Sequence, residues 1–297
     1  MKTVTKVLSV LLALALVVGC FAACGSDTAG DTTTAPASGS ASALVKVIDV
    51  ELTEEYYAFG VDKNQPELLE QVNAFIAEIK ANGQLEEIFN KYFGDGTPTA
   101  VTSAALDESK DQLVVATNAE FPPFEYTEGT NYLGVDMEIA ALLAQELGKE
   151  LVIQNMDFDA VCLSVGTQRC DIAMAGLTIS EEREEVVTFS ESYYQASQKL
   201  IVPADDTTFD NCTTADEVLE ILRGFDSSVR IGYQTGTTGQ KYVQSTDDYE
   251  YTALNVTPVD NQSGALAVQA MVNGNLDYVV IDAAPAQAIA DSVNGVA

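Results

Sequence analysis

Residues 56–94 read YYAFGVDKNQPELLEQVNAFIAEIKANGQLEEIFNKYFG, and residues 113–126 read LVVATNAEFPPFEY. The first stretch carries two apolar stripes at helical spacing. Leu68, Leu69, Val72, Phe75, Ile76 and Ile79 form one, with Pro66 near its start and Gly83 past its end. Leu85, Ile88, Phe89 and Tyr92 form the other, so residues 64–94 should be two core-facing helices. The second stretch opens on a buried strand and runs into a Pro-rich aromatic loop. From there strands and helices alternate. QLVVAT (112–117), ELVIQN (150–155), DIAMAG (171–176), QKLIVP (198–203), VRIGYQ (229–234) and DYVVID (277–282) read as buried strands. VDMEIAALLAQELGK (135–149) and GALAVQAMVNG (264–274) read as helices, each stopped by a glycine. Such alternation gives a parallel or mixed sheet with helices on both faces.

The N-terminus has the pattern of a signal peptide. Lys2 and Lys6 precede the apolar run Val7–Val18, which is too short to span a bilayer as a mature helix. The run ends in VVGCFAACGSD, which is similar to a lipoprotein cleavage site. Cys24 fits the acylated position through its AACGS context, while Cys20 has the better residue three places before the cut. Residues 25–43 are small and polar, cannot bury enough apolar surface to fold, and read as a tether. Anchor and tether together would hold the folded part outside the cytoplasm at a membrane face.

The formal net charge is −31, with 45 acidic and 14 basic residues. Such a balance argues against nucleic acid or anionic lipid as a partner. The chain has no histidine, which removes Ser-His-Asp and Cys-His catalysis and every imidazole metal site. No cofactor is expected. Cys162, Cys170 and Cys212 lie in the part that should fold, an odd number; their spacing leaves a Cys162–Cys170 bridge open, and free thiols are the expectation.

The two opening stretches resemble segments of the family-3 extracellular solute-binding proteins, the amino-acid-binding subunits of ABC importers. Residues 56–94 are similar to that family's closing segment, and residues 113–126 to its opening strand and first ligand loop. Here the closing segment comes first, and each segment occurs once. The resemblance therefore implies a circularly permuted, two-lobed periplasmic-binding-protein-like α/β fold, each lobe a mixed sheet flanked by helices. With the signal over 1–23 and the tether over 24–43 read from composition, it implies a second-lobe start with hinge over 44–53. The first lobe should hold 54–94 and 112–203, joined by a linker over 95–111, and the second lobe 204–297. Crossovers are expected near Leu200–Ala204 and Glu51–Tyr56. The Gly/Pro/Ser/Thr-rich joint at 95–111 would connect the old ends at the surface, where permutation is tolerated.

A free α-amino acid presents a carboxylate and an ammonium on one carbon, and a receptor must pair both once they are desolvated. Arg183, in AGLTISEER, can clamp a carboxylate with two parallel N–H bonds, whereas as a bare pattern it would pair with Glu181, Glu182 or Glu184. The resemblance favours the clamp and adds Gly176 and Thr178. GYQTGTTGQKY (232–242) is a strand, a Gly/Thr turn and a helix start, and the family's use of this loop points to Thr237 and Thr238. Asp282, at a strand end, matches the residue that takes the ammonium, and it could also cap the next helix. Phe121 and Phe158 match the family's aromatic walls, and Phe124 reads as core. Asn118, Glu120, Ala175 and Gln234 match side-chain-pocket positions, which implies a polar amino acid. The partners implied are a free L-amino acid, ABC permease membrane subunits and the membrane through a lipid anchor, with the protein a monomer. The competing activity is a cyclohexadienyl or prephenate-type dehydratase on the same fold, for which Glu120 would be the nearest acid.

Overall fold

The helix Pro66–Ala81 turns Leu68, Val72, Phe75, Ile76 and Ile79 inward, the face that its spacing dictates. Pro66 lies in the first turn, where its missing N–H costs nothing. Gly83, at φ 83°, turns the chain straight into a second helix, Gln84–Phe93. The computed structural model describes residues 43–245 and 254–296. The signal segment, most of the tether, Cys20 and Cys24 lie outside the described residues.

Two five-stranded sheets organise these residues. The first runs Val187–Phe189, Gly60–Asp62, Ile172–Ala173, Gln112–Thr117, Glu150–Asn155 in spatial order, with Gln112–Thr117 parallel to both its neighbours. Helices Pro66–Ala81, Gln84–Phe93 and Val135–Glu146 share a core with Leu113 and Val115 on one face, while Phe158–Gly166 packs with Ala116 and Ala173 on the other. The second sheet runs Val45–Val47, Gln198–Pro203, Tyr278–Asp282, Arg230–Gln234, Thr257–Asn261. Helices Gly264–Val272 and Ala283–Asn294 cover one face through Ala267, Val268, Ala286 and Ile289. Ala215–Arg223 and Thr238–Gln244 cover the other through Val218, Leu222, Tyr242 and Val243. Each sheet with its helices is one lobe of a two-lobed α/β fold.

Residues 44–94 serve both sheets. Val45–Val47 pairs antiparallel with Gln198–Pro203, Glu55–Tyr57 forms a two-stranded ribbon with Tyr194–Ala196, and Gly60–Asp62 pairs with Val187–Phe189. The return crossover differs from the sequence expectation of Leu200–Ala204. Gln198–Pro203 is already paired in the second sheet, and Thr53 and Leu52 bond to the Gln198 backbone, so the chain changes sheets near 196–198. A strand buried on both faces looks alike in either sheet, so its sequence names no lobe. The strand read over 171–176 shrinks to Ile172–Ala173, because the chain leaves the sheet to reach Gly176 at φ 53°.

Residues 95–111 are fixed to the first lobe, which their composition does not reveal. Val101 exchanges both backbone hydrogen bonds with Tyr132, and its side chain is buried with Met137 and Ile153. Ser103 accepts from the Ile153 N–H, and the Glu138 carboxylate accepts from Thr99 N–H, Tyr92 hydroxyl and Lys91 ammonium. Elsewhere, Asn294 ties Leu44 and Val45 to the last helix: its Oδ1 accepts from both N–H groups and its Nδ2 donates to the Val45 carbonyl. Cys162, Cys170 and Cys212 are free thiols.

Candidate functional site

Ser180 Oγ accepts from the Arg183 N–H at 3.4 Å and starts the single turn Glu181–Glu184. That turn aims the guanidinium inward. Its Nη1 donates to the Thr178 carbonyl at 2.6 Å and its Nη2 to the Gly236 carbonyl at 3.1 Å, so it touches both lobes. It also lies 5.2 Å from the centroid of the Phe158 ring. Among the described residues no carboxylate pairs with Arg183, and Glu182 pairs with Lys241 at 2.8 Å. The positive charge is therefore held in place by carbonyls and a ring face and stays available to an anion.

The opposing loop follows the strand Arg230–Gln234. Gly236 adopts φ 79°, and a Cβ there would come within 3.1 Å of Asp159, at the start of the Phe158 helix. Thr237 Oγ1 donates to the Gln234 carbonyl at 2.7 Å and accepts from the Gln240 N–H, fixing the turn into Thr238. A cavity of about 360 Å³ is lined by Thr178, Ser180, Arg183, Thr238 and Lys241, among others. It brings the first-lobe and second-lobe candidates for one anion together.

A second bridge joins the lobes deeper in. Gln234 Nε2 donates to Asn118 Oδ1 at 2.9 Å, and Asn118 Nδ2 donates to the Met156 carbonyl at 2.8 Å. Both amides are buried, and Gln234 Oε1 has no partner among the described residues. Phe121 is buried beside Gly176, where a Cβ would stand 2.8 Å from its ring, so only glycine lets that wall close. Ala175 is buried, and Glu120 is exposed on the short strand Glu120–Phe121. Phe124 is fully buried and packs edge-on against Tyr57, as core.

Asp282 ends the strand Tyr278–Asp282 and occupies the cap position of the last helix. Its side chain makes no cap bond and instead accepts from the Tyr57 hydroxyl at 2.5 Å. Burial, then Glu55, pushes its carboxyl up to about 7, against the lowering by Tyr57. Thr178 Oγ1 donates to Glu55 at 2.6 Å, which links this carboxyl group to the Arg183 side of the cleft. Three acids close to this site escape a reading of the sequence. Glu55 and Glu125 sit in short strands where alternation marks an acid as solvent-facing, and Asp136 sits in a first helical turn, where acids commonly face water. All three are buried.

The fold and this arrangement define a class: a two-lobed α/β binding protein with an arginine on one lobe and a buried carboxyl group on the other. The chain belongs to the bacterial extracellular solute-binding proteins, family 3, whose model matches residues 8–95 and 113–283. It is 33% identical over 136 residues to the arginine-binding extracellular protein ArtP of Bacillus subtilis (strain 168), covering 46% of this chain and 50% of that protein. The chain thus spans about half the length of that relative. The holo ArgBP structure from T. maritima matches with a TM-score of 0.53 at 34% identity, over 63% of this chain and 77% of the other. Cyclohexadienyl dehydratase of Pseudomonas aeruginosa is 28% identical over 177 residues, 59% of this chain and 60% of the enzyme. No helix among the described residues is long and apolar enough to cross a membrane.

Proposed function

We propose that this chain captures one free L-amino acid between its lobes and presents it to the membrane subunits of an ABC-type importer. The carrying observation is Arg183, a cation that meets no carboxylate among the described residues, linked through Thr178 and Glu55 to the side of the buried Asp282. An α-amino acid is the small molecule that carries the complementary pair. Arg183, Thr178, Gly176, Thr237 and Thr238 would take its carboxylate, and Asp282 its ammonium. Phe121 and Phe158 would flank the stem. The unpartnered Gln234 Oε1 beside Asn118 is a buried acceptor, and such a group is costly until a donor meets it. A ligand side chain rich in donors suits it, and the relatives named for arginine support that class.

The proposal includes a lipid anchor at Cys24 and a circular permutation of the family order. The tie from Asn294 to Leu44 and Val45 supports the permutation, because the fold's first strand and last helix are in contact. So does the first-lobe docking of 95–111, which joins the helix ending at Phe93 to the strand starting at Gln112. Titration calorimetry of the folded part with each common L-amino acid tests the capture. Saturable one-to-one binding that Arg183→Ala and Asp282→Asn each abolish, with the fold intact by circular dichroism, is the expected result.

The match to a dehydratase favours one second reading, turnover of a cyclohexadienyl acid. That chemistry needs an acid or base poised in a water-excluded cleft. Glu120 is exposed, which weakens it as that group. Incubation with prephenate or arogenate, followed by chromatography, separates the readings: a receptor returns the acid unchanged.

A further inference from the structure

Glu125 is fully buried, and neither of its carboxyl oxygens has a hydrogen-bond partner among the described residues. It pairs across the ribbon with Phe121, on the wall of the candidate cleft. Two other buried carboxyl groups act on it, Asp136 and Asp282. Asp136 accepts from the Tyr193 hydroxyl at 2.5 Å and from the Gly176 N–H at 2.9 Å, and Asp282 accepts from the Tyr57 hydroxyl. The groups that act on these acids come from several packed elements. The ribbon strand Glu55–Tyr57 supplies Glu55 and Tyr57, the segment at 193–194 supplies Tyr193 and Tyr194, and the strand Gln198–Pro203 supplies Gln198. They are acidic or neutral. Among the described residues no lysine or arginine is hydrogen-bonded or ion-paired to Glu125, Asp136 or Asp282.

Three buried carboxylates without a cation cannot all be ionised, because each charge is desolvated and repels the others. Burial, then Asp136 and Asp282, pushes Glu125 well above the usual carboxylate range. Burial also raises Asp136 to about 7. We propose that Glu125, Asp136 and Asp282 hold at least one proton among them in the ligand-free protein, and that a ligand ammonium docking on Asp282 drives one out. The idea rests on the reading of Asp282 as the ammonium partner. One carboxyl O–H bond breaks, its proton goes to solvent, and ammonium N–H bonds to the carboxylate replace it. One positive charge enters as another leaves, so the buried cluster keeps its charge balance. Capture is then a cation exchange, and it weakens in acid, where the proton is harder to displace.

The test is calorimetric titration of the protein with L-arginine at about pH 7 in phosphate and in Tris, buffers of contrasting ionisation heat. The measured enthalpies should differ in the direction of proton release. Affinity should fall by up to about tenfold per pH unit below the cluster's titration. Glu125→Gln should still bind but with a smaller difference between buffers, a readout that a merely structural role would not move. In the infrared, ligand-free protein should show the carbonyl stretch of a protonated carboxyl, weakened on adding arginine and weakened in Glu125→Gln. Saturable binding with equal enthalpy in both buffers, or no protonated-carboxyl band, overturns the proton store. Absence of binding by any amino acid would instead overturn the receptor reading, and the discharge with it, whatever the infrared band showed.

Discussion

At the scale of single residues, Arg183 and Glu125 carry the most consequence. Arg183 meets Thr178, Gly236 and Phe158 through the planar fork of its guanidinium. Lysine keeps the charge but loses both the fork and the stacking face. Arg183→Lys should therefore weaken amino-acid binding by about 10- to 100-fold, or roughly 1.4–2.8 kcal/mol, in calorimetry. Glu125, Asp136 and Asp282 all titrate above the usual carboxylate range. The folded chain therefore binds more protons than the unfolded one, and ligand-free stability falls as pH rises from about 4 to about 7. The limit is about 1.4 kcal/mol per pH unit for each proton retained. Glu125→Gln removes one of these protons, so thermal melts should show the variant gaining on the wild type as pH rises across that window. Parallel pH profiles for the two proteins would contradict this.

At the scale of elements, the segment 95–111 behaves as a strap. Its anchor is Glu138, a largely buried carboxylate that accepts from Lys91, Tyr92 and Thr99. Glu138→Ala removes the common acceptor of three donors and should cost about 3 kcal/mol, lowering the melting temperature by roughly 6–12 °C. A change under 2 °C would mean that the strap is incidental. The strap also shows where sequence reading stops. Helix Pro66–Ala81 and strands Gln112–Thr117 and Glu150–Asn155 follow from periodicity, because each presents a long apolar pattern. Val101 is a single apolar residue in a polar stretch and gives no pattern, yet it is buried. Arg183, Asp282 and the facing amides Asn118 and Gln234 could be named through short motifs. Glu125 could not, because FEYTE alternates as if Phe124 faced inward and Glu125 outward. Tertiary packing on both faces of that ribbon overrides the pattern.

At the scale of the whole molecule, residues 44–94 link the two sheets from the front of the chain, and Asn294 holds that front to the last helix. If the order is a permutation, the fold should tolerate its reversal. A chain starting at residue 112, with residues 44–94 moved behind residue 296, should melt cooperatively and bind the same ligand. Failure to fold in both a short-linked and a long-linked version would argue that the present order is required. The central claim is narrower: the cleft between Arg183 and Asp282 takes a free amino acid. A thermal-shift scan of residues 43–297 against the common L-amino acids tests it most directly. At about 100 times its dissociation constant, a ligand should add about 2.7 kcal/mol and raise the melting temperature by roughly 5–11 °C. One or a few amino acids with donor-rich side chains should produce that rise, and Asp282→Asn should remove it. A cooperative melt that none of them moves would contradict the claim.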